Sequence, residues 1–439
     1  MTAATYRGVV EGFYGPAWSH EQRLRGVEHF AGFGFNTYVI APKDDPAQRL
    51  RWREGLAEPA AKSLRELIEA GRRLGVDVTM SVSPGLDVVY SSLSDRQAVL
   101  ERFLQQLQLG AEVFVLLWDD IDWDLRAEED IARYCLIEDA QAEFSNAILA
   151  GLRERNPRAR LLVCPMIYNG RGPNASIEAL GDQLEPGIEL MWTGREVRSP
   201  YLDLVDAQVF AADAGRAPLY WDNFPVNNLS MRFELHMGAL TGRAADLFAC
   251  SRGLLANPMN QFECSLLPLA TVGDYLAAPE KYAPEESWER SFTRLFGRYS
   301  DASALRAFFR CLMSSPLSMD AAPDLRSALG AATAARRAGD RARAVDMLRE
   351  LSRGIHDGRV QIAAAAAEHP GLSLEISPWL AKYDLGGNAI AAMADFVDSG
   401  DAESRRRLVE RSQELDANRY LVFGDVLDGA IAELLAELR

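Results

Sequence analysis

None of the five cysteines in this 439-residue chain, Cys135, Cys164, Cys250, Cys264 and Cys311, lies in a CxxC spacing. An odd number of widely spaced cysteines in apolar context argues against a disulfide framework. They read instead as buried free thiols in a reducing compartment. Histidine is scarce, at five residues, and no obvious Ser–His pair accompanies it. No HExxH motif, P-loop or glycine-rich phosphate turn is present. No apolar run approaches the length of a membrane span, and no basic-then-apolar leader opens the chain. Positive charge is also short. Lys and Arg total 47 against 63 Asp and Glu, a net charge of −16. Such an acidic balance argues against nucleic acid or an anionic membrane as a partner. These absences together point to a cytoplasmic protein, in which the glycosylation-type triplets at Asn174 and Asn228 carry little weight.

What is present is apolar residue in quantity, 48% of the chain, and a repeated theme. Up to about residue 275, short apolar runs end in Gly, Pro, Asn or Asp and are followed by amphipathic helical stretches. The runs are 6–10, 37–40, 77–82, 113–118, 160–164, 189–192, 218–221 and 253–255. Helices are expected after Ser19, over 63–74, 95–109 and 131–152. Eight such units predict a (β/α)8 TIM barrel, with an open doubly wound sheet as the alternative. Beyond residue 278 the strand-like runs vanish. Helical stretches at 285–299, 302–313, 323–338, 340–367, 379–399 and 401–438 predict a C-terminal α-helical bundle of five or six helices, with Asp301 and Asp340 as caps. The expected domains are therefore 1–278 and 279–439. The helical part either packs beside the barrel mouth or forms a homodimer interface. Since the first run begins within ten residues of Met1, no leading domain is expected.

Asp119 and Asp120 end the most strand-like run. Neighbouring carboxylates raise at least one pKa, and burial raises it further. One protonated and one ionised acid is the pairing that general acid chemistry needs near neutral pH. Aspartates at strand ends also cap helices and close turns. A calcium loop counted from Asp120 fails, because Leu125 and Ile131 stand where Gly and Glu are required.

In a barrel of this kind, residues just past the strand C-termini build the active site. Here they include Glu11, Gly12, Phe13 and Tyr14; Lys43, Asp44 and Asp45; Ser83; Asp119 and Asp120; Tyr168 and Asn169; Trp192 and Thr193; Trp221, Asp222 and Asn223; and Asn257. This ring is rich in carboxylate, amide and aromatic groups and poor in His and Cys. It suits a neutral, hydroxyl-rich ligand and argues against zinc. Taken jointly, these positions point to a glycosidase.

At these positions the chain resembles glycoside hydrolase family 84, whose members remove O-linked GlcNAc from proteins, together with related bacterial hexosaminidases. The motifs are VEGFYGPAW at 10–18, YVIAPKDDP at 38–46, WDDID at 118–122, WTG at 192–194, WDNFPVNN at 221–228 and NPMNQ at 257–261. SWE at 287–289 and PWL at 378–380 extend the likeness loosely into the helical part. The resemblance implies hydrolysis of a terminal β-linked N-acetylglucosaminide without cofactor or metal, the substrate's own acetamido oxygen attacking C1 to form an oxazoline. It implies that Asp119 polarises the acetamido N–H, and that Asp120 is general acid and then base. Gly12 would offer a backbone carbonyl, Lys43 and Asn257 would bind sugar hydroxyls, and Tyr168 would bond the forming oxazoline. Thr193, Val197 and Trp221 would shape the acetamido pocket, with Asn223 touching the acetamido group or the acid. One departure stands out. Asn228 occupies the place of the family's usual aspartate for O4 and O6, so binding there is expected to be weaker or less selective. The alternatives are an idle GlcNAc-binding or scaffold protein, and a hydrolase of hyaluronan-like chains, which the acidic balance disfavours.

Overall fold

The computed structural model describes residues 4–318 and 321–437. Met1, where the first expected domain opens, lies outside them, as do Leu438 and Arg439 at the end of the second. The chain divides into two units. The first comprises residues up to Asn228 together with Leu240–Phe262 and Val272–Ala283. The second comprises Leu229–Ala239, Glu263–Thr271 and the chain from Pro284 onward.

The first unit is a (β/α)8 barrel. Its strands are β1 (Tyr6–Glu11), β2 (Thr37–Ile40), β3 (Asp77–Met80), β4 (Val113–Leu117), β5 (Arg160–Cys164), β6 (Ile188–Trp192), β7 (Leu219–Asp222) and β8 (Gly253–Ala256). Every ladder is parallel, in the order β3-β2-β1-β8-β7-β6-β5-β4. The remaining seam, β3 to β4, closes through one bridge. Val82 N donates to Val115 O at 3.0 Å, and Leu117 N donates to Val82 O at 2.9 Å. The open-sheet alternative is thereby excluded.

Side chains alternate across each strand. Val113, Val115 and Leu117 point into the barrel, where Tyr6, Val10, Val39, Leu162, Met191, Leu219, Trp221 and Leu255 meet them. Between them Phe114 and Trp118 face the helices, packing on Phe103 and Phe144. The first helix, His20–Gly32, begins at a capping box formed by Ser19 and Gln22. Helix Glu58–Leu74 starts earlier than the expected residue 63, because a proline is tolerated in the first turn. The expected helix 131–152 is two, Glu128–Arg133 and Ile137–Arg155.

The second unit contains, from Pro284 onward, seven described helices rather than five or six: Pro284–Phe296, Ala302–Arg310, Pro323–Arg337, Arg341–Ala367, Pro370–Ser399, Ala402–Ala417 and Val426–Glu437. The expected stretch 401–438 breaks in the middle, while Pro370–Ser399 runs through Pro378. Asp340 caps as expected, accepting from Arg343 N, but the Asp301 side chain makes no cap bond. Ala389 and Ala394 are fully buried, and Ser352 Oγ donates to Gly387 O at 2.8 Å between the two long helices.

All five cysteines are free thiols, but only Cys164 and Cys264 are buried. Cys135 is exposed, because it falls between helices Glu128–Arg133 and Ile137–Arg155 rather than inside one. Among the described residues, no helix is long and apolar enough to cross a membrane.

Candidate active site

The two-residue alternation of β4 continues one step past the strand, so Asp119 follows Leu117 toward the barrel mouth. It is 5% exposed. Its Oδ2 pairs with the Lys43 ammonium, which itself stands 5.3 Å from the centroid of the Trp221 ring. Its Oδ1 is buried and has no hydrogen-bond partner among the described residues. Native proteins rarely leave a buried carboxylate oxygen orphaned, so this atom is poised for a donor from a ligand.

Plain alternation would send Asp120 outward, toward the helices. Instead its backbone is left-handed, with φ of 56°, a conformation uncommon for residues other than glycine, Asn and Asp. The turn swings the carboxylate toward two tyrosines. Tyr14 OH donates to Oδ2 at 2.7 Å, and Tyr168 OH donates to Oδ1 at 3.0 Å. Arg49 completes the hold, donating to Asp120 O at 3.0 Å and to the Tyr14 hydroxyl at 3.3 Å. Burial alone pushes the Asp120 carboxyl up. The Lys43 ammonium, the two tyrosine hydroxyls and the Arg49 guanidinium outweigh it and hold the group below the ordinary aspartate value. The expected rise is therefore not met at Asp120. Burial, and then the Asp120 carboxylate that each one bonds, pushes the Tyr14 hydroxyl up to about 12 and raises that of Tyr168.

Three more expected residues form a connected floor. Trp221 Nε1 donates to Asn223 Oδ1 at 3.0 Å, and Asn257 Nδ2 donates to the same oxygen at 2.8 Å. Asn223 Nδ2 donates to Val197 O at 2.6 Å, and Gly12 N donates to Asn257 Oδ1 at 3.1 Å. Both amide oxygens are thus committed to the protein. Gly12 is required sterically, since a Cβ there would lie 2.1 Å from the Trp221 ring. Thr193 N donates to Tyr168 O at 2.8 Å, which fixes the Tyr168 backbone beside β6. The Val197 side chain is 44% exposed.

Of the two adjacent asparagines, Asn227 is structural. It is buried, with Nδ2 donating to Gln261 Oε1 at 2.8 Å and Oδ1 accepting from Asn260 N at 3.3 Å. Asn228 is half-buried.

Sequence reasoning placed Tyr14 in the ring without giving it a role, and missed Arg49 altogether. The available signal was the DDP of 44–46. Asp45 caps the short helix Pro46–Arg49 by accepting from Ala47 N, and that turn delivers Arg49. Glu11 turns outward instead. It is buried against Arg23, whose Nη2 lies 2.7 Å from its Oε1, and Tyr38, whose hydroxyl donates at 2.6 Å.

A family model described as beta-N-acetylglucosaminidase matches residues 7–310. The Protein O-GlcNAcases of Mus musculus and Rattus norvegicus are 34% and 33% identical over 274 residues, 61% of this chain. That match spans 29% of the length of each relative. A mutant of the Thermobaculum terrenum O-GlcNAc hydrolase superimposes with a TM-score of 0.90 at 29% identity, covering 98% of this chain and 94% of that one.

Proposed function

The chain belongs to the beta-N-acetylglucosaminidase family, glycoside hydrolase family 84, and from that premise we propose that it is a retaining exo-β-N-acetylglucosaminidase acting by substrate-assisted catalysis. The observation that carries the mechanism is the orphaned, buried Oδ1 of Asp119 beside an Asp120 carboxylate held by two tyrosines. The acetamido N–H of a terminal GlcNAc donates to Asp119 Oδ1. This orients the amide and increases the electron density of its carbonyl oxygen, which attacks C1 as the glycosidic bond breaks. Asp120 delivers its proton to the leaving oxygen. The product is an oxazolinium ion paired with the Asp119 carboxylate, and it becomes a neutral oxazoline when Asp119 accepts the N–H proton. Asp120, now ionised, removes a proton from water, which adds to C1 from the face the leaving group vacated as the oxazoline C1–O bond breaks; Asp119 returns the proton to nitrogen, so the acetamide re-forms and the β-configuration is restored. No enzyme carboxylate bonds to the sugar, unlike the usual two-carboxylate retaining scheme.

Lys43 and Asn228 take the sugar hydroxyls, and the Trp221–Asn223–Asn257 floor holds the acetamido wall at Val197. Asp120 must be protonated when substrate is bound, although it is held low in the free site. A sugar supplies that change. It excludes water from the carboxyl and draws the Lys43 ammonium toward hydroxyls, both of which raise the pKa.

The test is the rate on aryl β-N-acetylglucosaminides carrying zero to three fluorines on the acetyl group, alongside Asp120→Asn. The expected result is a steep fall in rate with each fluorine, and a loss of about 10²–10⁴ in the mutant on poor leaving groups. A rate indifferent to fluorine would mean an enzyme nucleophile. Sugar binding without turnover would mean a GlcNAc-binding protein instead.

A further inference from the structure

The left-handed turn at Asp120 aims the candidate acid, yet Asp120 takes part in no backbone–backbone hydrogen bond among the described residues. It also stands beside the least paired seam of the barrel, where Val82 and Leu116 form the bridge between the β3 and β4 sides. Arg49 is the one donor to the Asp120 carbonyl among the described residues, through Nη2 at 3.0 Å. Its Nη1 donates to the Tyr14 hydroxyl at 3.3 Å, and that hydroxyl donates in turn to Asp120 Oδ2 at 2.7 Å. The guanidinium thus grips the backbone of the acid and one of the two donors to its side chain. The carboxylate oxygens themselves are bonded by the two tyrosines, not by Arg49.

Arg49 is in turn held from β3. It ends the one-turn helix Pro46–Arg49, and its neighbour Gln48 is 2% exposed. Gln48 O accepts from Ser83 N at 3.1 Å, and Gln48 Oε1 accepts from the Ser81 hydroxyl. Gln48 Nε2 donates to Oδ2 of Asp45, the cap of that helix, at 3.4 Å. Ser81 N donates to Ile40 O at 3.0 Å, so residues 81–83 prolong β3 beside β2.

We infer that Arg49 is the positioning residue of the general acid and that Gln48 acts through it, the pair bracing Asp120 across the β3–β4 seam. This role rests on the function proposed above, in which Asp120 is the acid. A general acid must lie within hydrogen-bond reach of the oxygen it protonates, and a misplacement of about 1 Å costs on the order of 10²-fold. The left-handed region is small and sparsely used by aspartate, so an unbraced Asp120 has easier conformations that turn its carboxylate away. A rigid guanidinium fork on its carbonyl and on Tyr14 fixes direction as well as distance. Burial leaves the Gln48 amide no water to take in place of Ser81, which ties the turn carrying Arg49 to the strand.

The experiment measures kcat/KM of the whole chain on aryl β-N-acetylglucosaminides whose phenols have pKa values from about 5 to about 10. The readout is the ratio of the rate on the poorest leaving group to that on the best. Both rates come from one preparation, so the folded fraction cancels. Only the poor leaving group depends strongly on the acid, whereas general damage to the site lowers both rates alike. Arg49→Met should lower the ratio about 10- to 100-fold relative to the wild type. Gln48→Leu should lower it by about threefold or more, and should have no further effect when Arg49→Met is already present. An unchanged ratio in Arg49→Met, or equal effects of Gln48→Leu with and without Arg49, overturns the inference. Asp120→Asn separates the two ideas. If it lowers the ratio and Arg49→Met does not, only the brace falls. If it leaves the ratio unchanged, Asp120 is not the acid and both fall.

Discussion

At Asp120 the sequence and the structure part company over a single dihedral. Strand alternation carries Asp119 into the barrel mouth, but the left-handed φ of the next residue brings the second carboxylate round to Tyr14 and Tyr168. Backbone strain of this kind costs about 1–3 kcal/mol and persists where surrounding contacts fix it. Because the free carboxyl is held low and must carry a proton in the complex, binding of a neutral sugar-like inhibitor should take up protons near neutral pH. Calorimetry in buffers of different ionisation enthalpy measures this directly. Zero uptake would mean that Asp120 stays ionised and is not the acid. Asn228 gives a second residue-scale prediction. Asn228→Asp adds charge-assisted bonds to sugar hydroxyls, which are roughly twice as strong as neutral ones. The KM for an aryl glucosaminide should fall by about three- to tenfold, and preference over the galactosaminide should rise. Unchanged values of both would remove Asn228 from the sugar site.

At the scale of elements, a half-buried carboxylate in the second unit sets a pH dependence. Glu375, on helix Pro370–Ser399, accepts from Glu263 N at 3.2 Å and Cys264 N at 3.0 Å. Those two amides belong to the first turn of helix Phe262–Ala277, so Glu375 satisfies donors that the helix itself leaves open. Burial dominates these bonds and pushes its pKa up to about 7. The folded state therefore holds a proton that the unfolded chain releases above about 4.5. Stability should be full below that value, decline as pH rises toward 7, and level off beyond. The decline is on the order of 2 kcal/mol. Denaturant titrations from pH 4.5 to 8 should show this slope in the wild type, and a shallower one in Glu375→Gln. Equal slopes would assign the pH dependence elsewhere. Sequence patterning could not reveal this pair, because more than a hundred residues separate Glu375 from the amides it caps.

For the whole molecule, the two units interleave along the chain, and a cut at residue 278 would not separate them cleanly. Segments 229–239 and 263–271 belong to the second unit. There Trp288 Nε1 donates to Met237 O at 2.7 Å, Trp379 Nε1 to Phe233 O at 2.9 Å, and Leu421 N to Phe233 O at 2.8 Å. A chain ending at residue 278 loses every one of these donors and leaves the buried apolar side chains of Leu235, Met237, Leu266, Leu267 and Leu269 without the rest of their unit. It should lack a cooperative thermal transition and elute from size exclusion as aggregate. A soluble, active 1–278 fragment would show that the barrel stands alone.

The eight strands were legible because each is a short apolar run bounded by turn residues, and burial on both faces leaves no other use for such a run. The ring of Lys43, Asp119, Asp120, Tyr168, Trp221, Asn223 and Asn257 was legible because a parallel barrel puts every strand's C-terminus on one face. The sequence by itself thus determined the barrel and which residues gather at its mouth. Only the tertiary structure decided which of them bond to one another, through the Asp120 turn, the Arg49 contact and the direction in which the carboxyl titrates. Local patterning specifies which face a side chain takes, whereas protonation and hydrogen bonding depend on groups brought close from distant parts of the chain.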